Sequence, residues 1–360
     1  MIKKFFIIGG YAHSNPGDIA ILKTTVRRLH TLHPGSHFVI WSDRKNFSVE
    51  LSGEISSEIF WYRCPSFFAG DHVLPRALLY LFRLTYPFSQ TFVRWVSSEK
   101  GGAVVRKMRE CECIIFVGGG YINSNYVFDL MQMYQLGCLA GEAKKPVYFL
   151  GQTIGPFSDP WHKTIAESML RRAKRIVIRE KYSRVELSKF PDKILEGIDD
   201  AVDFHTTATS AISGTLLECL RRTDDSQLLL GLSLRSAGKT FDSTGLVDCL
   251  NRFNTTSAGG RLKVIFIPMT TSIHSDDRKE AALLERVPNR NFELLVADGP
   301  LTVEDRFFAI SKVDLLLGMR FHSLVFALSS GVPCIGLYAN DYYFRKNWGL
   351  LEAYGMERFW

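Results

Sequence analysis

The sequence predicts an α/β protein made of two facing Rossmann-like domains with the active site in the cleft between them. Three observations carry this. Short apolar runs recur, each followed by a glycine-bearing turn and a helical pattern. The runs are continuously apolar instead of alternating, as strands covered on both faces are. The whole cycle then starts again past a Ser- and Thr-rich stretch that ends near residue 226.

The elements follow in order. "FFIIGG" is a first strand, leading to the helix "DIAILKTTVRRLHTLHP" and a second strand "HFVIWSD". "CIIFVGGG" and "PVYFLGQTIGPF" are further strands, with the helical "HKTIAESMLRRA" behind the latter. "RIVIRE" with "KYSRVELSKF" completes a domain over 1–202. An aromatic tract at about 60–100, including "ALLYLFRLTYPFSQTFVRWV", reads as an insertion. It is amphipathic and poor in acids, which suits a helix packed on this domain or a surface that touches lipid. Residues 203–226 read as the connection. The second domain, 203–360, carries "LLLGLSLRS", a helix through Leu246 to Phe253, "LKVIFIPM", "DRKEAALLERV", "FELLVAD", "EDRFFAISKV", "DLLLGMR" and "VPCIGLY". Its last segment is expected to pack back on the first domain.

Composition narrows the function classes. The 360 residues are 46% hydrophobic and 22% charged, ordinary for a globular protein, and the net charge of +7 favours an anionic ligand or surface. Lys and Arg are scattered and no nucleic-acid module is visible, so no nucleic acid is expected. Seven cysteines at irregular spacing argue against a disulfide framework and for a reducing compartment; Cys111 and Cys113 lack paired metal-ligand spacing. The apolar run of "MIKKFFIIGG" is too short for a signal peptide, and no stretch reaches the length of a membrane span. A cytoplasmic protein is expected, with peripheral contact at the inner face of the membrane as an option.

Ligands of open α/β sheets bind outside the carboxyl ends of the strands, where every glycine-rich segment of this chain falls. In "GGYAHSNPGDIAI", Asp18 is placed to cap a helix, Gly17 permits a tight turn, and His13 and Asn15 are offered to a ligand. The spacing is not that of a dinucleotide fingerprint. In "VGGGYINSN", Gly118, Gly119 and Gly120 let backbone approach a bound group, and Asn123 and Asn125 suit sugar hydroxyls. Gln152 and Thr153 of "GQTIGPF" line the same region. Arg179 of "IREKYS" stands at a strand end, with Glu180 and Ser183 entering a helix; an arginine there suits bidentate recognition of carboxylate or phosphate. Asp199 and Asp200 read either as metal ligands or a base, or as capping and interdomain residues. "GMRFHSLVFALSSGVPCIGLY" places Arg320 and His322 at the mouth of an apolar helix, whose positive end and unpaired amides make an anion site with them. His322 suits a general acid recruited by its substrate.

Taken together, "GGYAHSNPGDIAIL", "FVGGGYINSN", "LGQTIGPF", "VIREKYS", "DDAVDF" and "MRFHSLVFALSSGVPCIGLY" resemble the polysaccharide pyruvyl transferase family over residues 5 to about 340. The resemblance implies a fold similar to GT-B glycosyltransferases. It also implies transfer of a pyruvyl group from phosphoenolpyruvate to a sugar of a cell-surface polysaccharide or its lipid-linked precursor, as a ketal, with release of phosphate. No cofactor or metal is implied beyond the donor itself. The family's donor-binding Arg falls on Arg179 and its catalytic His on His322, with Arg320 beside it. The family's Lys has no residue at the matching place; Lys346 or Arg345 of "YANDYYFRK" fills that role. The donor side then comprises Arg179, Arg320, His322, Lys346 and Gly118 to Gly120, and the acceptor side His13, Asn15, Asp18, Asn123, Asn125 and Gln152. A nucleotide-sugar glycosyltransferase on the same architecture is the alternative enzyme, and a ligand-binding protein that has lost catalysis a third class.

Overall fold

The computed structural model describes residues 2–10, 15–51, 53–62, 101–205, 212–235, 242–272, 275–297, 299–338 and 340–356. His13 and most of the aromatic tract lie outside them. The chain divides into two compact units, the break falling after Asp199 instead of after residue 202; the start of the first helix, through Ala20, clusters with the second unit.

The first unit is built on strands β1 (Lys4–Ile8), β2 (His37–Ser42), β3 (Ser56–Trp61), β4 (Cys113–Phe116), β5 (Gly119–Ile122), β6 (Val147–Ile154), β7 (Arg175–Ile178) and β8 (Ile194–Glu196). Their order is β3-β2-β1-β4-β6-β7-β8, with β5 against β6, and the pairings are parallel. Helices α1 (Pro16–Leu32), α2 (Val127–Ala143), α3 (Pro160–Leu170) and α4 (Tyr182–Glu186) connect them, and residues 101–109 are also helical. Phe6, Ile8, Phe116 and Phe149 form the centre of this unit's core, the last two rings stacked 4.4 Å apart. A fully buried phenylalanine is worth about 1.5–3 kcal/mol against an exposed one, so the apolar runs hold the sheet as the sequence suggests.

The second unit carries α5 (Gly214–Leu220), α6 (Ser243–Thr256), α7 (Arg278–Glu285), α8 (Val303–Ser311), α9 (Phe321–Ser329) and α10 (Asp341–Ala353). Its strands are β9 (Leu228–Ser233), β10 (Leu262–Phe266), β13 (Glu293–Val296), β14 (Leu315–Gly318) and β15 (Cys334–Gly336), with a two-strand hairpin of β11 (Thr271–Ser272) and β12 (Ser275–Asp276). The main sheet is parallel in the order β13-β10-β9-β14-β15. A separate core gathers Leu230, Leu232, Val264 and Phe266.

Both sheets follow the 3-2-1-4-5 path of a doubly wound fold, with the reversal between β1 and β4 in one and between β9 and β14 in the other. The stretch read as a connection holds more structure than its Ser and Thr content suggests. Helix α5 stands within it and buries Leu216, and a 3₁₀ turn over residues 200–203 leads into it. The tract read as an insertion begins later than residue 60, because β3 runs to Trp61 in register with β2. Among the described residues no helix is long and apolar enough to cross a membrane.

Candidate active site

In the second unit, β14 ends at Gly318 and the chain turns directly into α9. Met319 N–H bonds to Ser233 O at 2.7 Å, so the ends of β9 and β14 stay zipped to the turn. Arg320 is the residue before the helix, in extended conformation, and its carbonyl takes Ser323 N–H, Ser323 Oγ–H and Leu324 N–H. The apolar composition of α9 explains its depth: Phe321 through Ala327 are all buried.

The Arg320 guanidinium is fixed by Asp277. Nε donates to Asp277 Oδ2 at 3.0 Å and Nη2 donates to Oδ1. Asp277 is fully buried and its Oδ2 also accepts from Met269 N–H at 3.1 Å and Thr270 N–H at 2.9 Å. It stands at the N-cap position of α7 yet makes no capping bond to that helix. A cap there is worth about 1 kcal/mol, so its carboxylate is turned to Arg320 at the expense of its own helix. Sequence reading passed over Asp277 because an acid at the start of "DRKEAALLERV" looks like an ordinary helix-start residue. The unused cap was the signal, and it is visible only in three dimensions.

His322 lies in the first turn of α9, 6% exposed, its ring edge-on to Phe321 at 5.3 Å. The first turn of α1 reaches it: a Cβ added at Gly17 would stand 1.8 Å from His322 Nδ1 and 2.0 Å from Cγ. The first and last sequence motifs therefore meet at the imidazole, and the meeting needs a glycine. Asn15 caps α1, where Asp18 was expected to. Asn15 Oδ1 accepts Gly17 N–H at 3.1 Å and its carbonyl accepts Asp18 N–H and Ile19 N–H. Pro16 opens the helix, so the cap precedes it by one residue and Asp18 falls inside the first turn, accepting from Asn15 Nδ2 at 2.9 Å. Two helix N-termini thus converge on His322, both favouring an anion.

Lys346 and Arg345 are separated by the structure. Lys346 Nζ sits 4.6 Å from the centroid of the Phe321 ring, next to His322 in sequence, while Arg345 is exposed. Asn347, fully buried, donates from Nδ2 to Met319 O at 3.3 Å and Leu337 O at 3.1 Å, pinning α10 to the ends of β14 and β15. The 3₁₀ turn of "DDAVDF" backs α9 from behind: Phe204 stacks on Phe326, and Phe307 packs edge-on to both.

In the first unit the expected ligands are mostly framework. Arg179 and Asp199 are each 1% exposed and form an ion pair through Nη1, with Arg179 Nε donating to Thr153 Oγ1 at 2.8 Å. Asp199 is therefore engaged by an arginine, and Arg179 is enclosed where a ligand-facing cation was expected. Gln152 is fully buried and its Nε2 donates to Val117 O at 2.7 Å and Leu150 O at 3.0 Å, joining β4 to β6, so it does not line a cleft. Asn123 is also fully buried; its Oδ1 takes Asn125 N–H and Tyr126 N–H and its Nδ2 donates to Gly120 O, shaping the turn into α2. Asn125 is exposed, as a sugar contact needs to be. Packing, not a bound group, accounts for two of the three glycines. A Cβ at Gly118 would lie 3.0 Å from Gly151 O, and one at Gly119 would lie 2.3 Å from the Tyr121 ring. Glu180 is buried and caps the following turn, accepting from Ser183 N–H at 3.0 Å and from Ser183 Oγ–H. Burial pushes its carboxyl above the ordinary value, with the Ser183 bonds and Arg179 opposing.

The fold class is that of the GT-B enzymes. Similar solved structures include a UDP-GlcNAc 2-epimerase from Neisseria meningitidis bound to UDP-GlcNAc (11% identity, TM-score 0.56, 99% of this chain and 94% of that one). A UDP-GlcNAc 2-epimerase from Methanocaldococcus jannaschii (12%, 0.54, 93% and 84%) and Medicago truncatula UGT71G1 complexed with UDP-glucose (10%, 0.52, 98% and 84%) are similar too. At these identities the likeness concerns the fold alone. The model of the polysaccharide pyruvyl transferase family matches residues 15–341, and the chain belongs to that family of transferases. It is also similar to the amylovoran biosynthesis protein AmsJ of Erwinia amylovora, 22% identical over an alignment of 366 residues covering 98% of this chain and 86% of that protein.

Proposed function

We propose that this transferase moves the pyruvyl group of phosphoenolpyruvate onto two hydroxyls of a sugar in a cell-surface polysaccharide or its lipid-linked precursor. The carrying observation is the mouth of α9, where Arg320, fixed by Asp277, and Phe321, under the Lys346 ammonium, immediately precede His322. The donor bears a carboxylate and a phosphate, and cations with two helix N-termini suit both.

The chemistry needs one proton donor and one anion cradle. His322 protonates the methylene carbon of the donor, leaving C2 oxocarbenium-like. One sugar hydroxyl adds to C2 and a second displaces phosphate by breaking the C2–O bond. The methylene gains one proton, each hydroxyl loses one, and the proton left over departs with phosphate or buffer, so the transfer balances without redox change. Arg320 and the α9 amides hold the donor's negative charge as the C2–O bond breaks. Asn125 is the exposed polar residue on the acceptor side. The reaction is placed in the cytoplasm, where the donor is made.

The test assays full-length protein for phosphate release from phosphoenolpyruvate and for nucleotide release from nucleotide sugars, each with a panel of glycans. Acceptor-dependent phosphate release is expected. Nucleotide release alone overturns the reading.

A further inference from the structure

We propose that Arg306 is a positioning residue of this site: buried on α8, it sets the Arg320 guanidinium through one peptide group and Asp277, without touching the ligand itself. The inference rests on the reading of the α9 mouth as the anion site and deepens it.

Arginine is rarely fully enclosed unless it is paired. Arg306 is 4% exposed, one turn into α8, at helical spacing from the buried Val303, Ala309 and Ile310. The neighbouring acid does not bond to it: Asp305 forms a capping box with Thr302 and accepts Ser213 N–H at 2.9 Å. Among the described residues, the bonds of the Arg306 guanidinium run to carbonyls. Nε donates to Pro268 O at 2.7 Å, and Nη1 donates to Leu301 O and, at 3.0 Å, to Thr302 O. These carbonyls lie on two separate segments, and a planar fork of N–H donors spans them where an ammonium would not. Burial pulls the guanidinium pKa down to about 10, with Asp305 and Asp277 opposing.

The Pro268 carbonyl belongs to the same peptide group as the Met269 N–H, and a trans peptide points the two in opposite directions. One side of that group therefore takes Arg306, and the other gives its N–H to Asp277 Oδ2 at 3.1 Å. The next amide, Thr270 N–H, reaches the same oxygen at 2.9 Å, and Asp277 N–H bonds back to Thr270 O at 2.9 Å. Asp277 in turn holds Arg320 through Nε and Nη2. Arg306, the peptide group, the carboxylate and Arg320 thus form one chain of donors and acceptors, in which each bond polarises the next. The chain joins the turn past β10, the start of α7 and the start of α9. Held by Arg306, the 268–270 backbone keeps both amides on Oδ2, which turns the carboxylate away from its own helix and toward Arg320. A guanidinium set in one orientation is what bidentate recognition of carboxylate or phosphate needs.

The test is a double-mutant cycle read by phosphorus NMR, which also registers weak binding. Inorganic phosphate, and separately phosphoenolpyruvate, is titrated into full-length wild type, Arg306→Gln, Arg320→Gln and the double variant, with melting temperatures alongside. Arg306→Gln is expected to weaken both ligands by about 2- to 30-fold, the range for residues that act through a network, and to melt lower than wild type. In the Arg320→Gln background it is expected to weaken them no further, since its effect passes through Arg320. Arg306→Lys keeps the charge and one carbonyl bond, so part of the affinity is expected back; it also carries the cycle should Arg306→Gln not fold. A lower melting temperature with wild-type affinity makes Arg306 a framework residue and overturns the inference, while the proposed function stands. Equal losses in both backgrounds overturn it as well, because Arg306 then acts by a route that omits Arg320. Full coupling in a protein that never releases phosphate from phosphoenolpyruvate upholds the positioning role, and the donor reading falls. Wild type that binds neither probe overturns both.

Discussion

Replacing Arg179 with alanine separates two accounts of this residue. A cation at a strand end facing the donor would lose binding on truncation, raising KM for phosphoenolpyruvate about 10- to 150-fold with the fold intact. The structure points elsewhere, since guanidinium and carboxylate are each 1% exposed and bound to one another. Truncation deprives Asp199 of its guanidinium inside the protein and removes the 2.8 Å bond to Thr153 Oγ1. Breaking a buried pair from one side costs about 3–5 kcal/mol. A unit of this size class loses about 2–4 °C per kcal/mol, so Arg179→Ala is expected to lower the melting temperature by about 6–20 °C. The double variant Arg179→Ala with Asp199→Asn removes the stranded charge and is expected to recover part of that loss. Circular dichroism melts of the three proteins give the answer, and KM measured at a temperature where all are folded is expected to stay within a few-fold of wild type. An Arg179→Ala protein that melts like wild type and has a raised KM would refute the framework account.

Three other variants probe the α9 mouth and its surroundings. Gly17→Ala adds a methyl 1.8 Å from His322 Nδ1 on a backbone that accepts alanine, so turnover is expected to fall about 100-fold or more by displacement of the imidazole while the melting temperature drops only slightly. His322→Gln is expected to cut turnover by about 10²–10⁴-fold with a smaller change in donor affinity; normal turnover in the cold with a lowered melting temperature would make His322 a packing residue. Glu180 has a native carboxyl raised by burial, so the folded state binds its proton more tightly, and the stability it contributes is full below the ordinary value of 4.5 and lost as pH rises through the native value. Glu180→Gln removes that slope, so melts from pH 4 to 8 are expected to show the variant gaining on wild type as pH rises; a constant difference would put the carboxyl at its ordinary value.

The α/β alternation and the location of the motifs were readable because both are local. A continuous apolar run such as "LLLGLS" needs only its own residues to declare a buried strand. The strand β3, "SSEIFW", was missed since its first three residues are polar or charged, and only its pairing with β2 makes it a strand. The helix α5 was hidden in a stretch whose Ser and Thr suggested a linker. What local pattern cannot carry is pairing at a distance. Asp277 and Arg320 stand 43 residues apart, and Gly17 meets His322 across most of the chain. The same limit explains the misplaced ligands. Gln152 and Asn123 have side chains suited to sugars, but the carbonyls and amides that claim them come from neighbouring strands and turns.

The manner in which each cation is fixed bears on what it can do. A carboxylate positions an arginine well but offsets its charge, and Asp277 does this to Arg320, so an anion binding there meets a guanidinium already half-engaged. An aromatic face positions a cation without offsetting it. Phe321 does so for Lys346 and Tyr343 for Arg235. At the α9 mouth an arginine two residues before His322 is thus held by a carboxylate, and a lysine is held over the ring that separates the two in the chain. Such a division suits a reaction in which the same donor must be oriented at its reacting carbon and then relieved of a doubly charged leaving group. Under the proposed transfer, Arg320 and the α9 amides hold the donor's negative charge as the C2–O bond breaks, and Lys346 adds a second cation to that stabilisation.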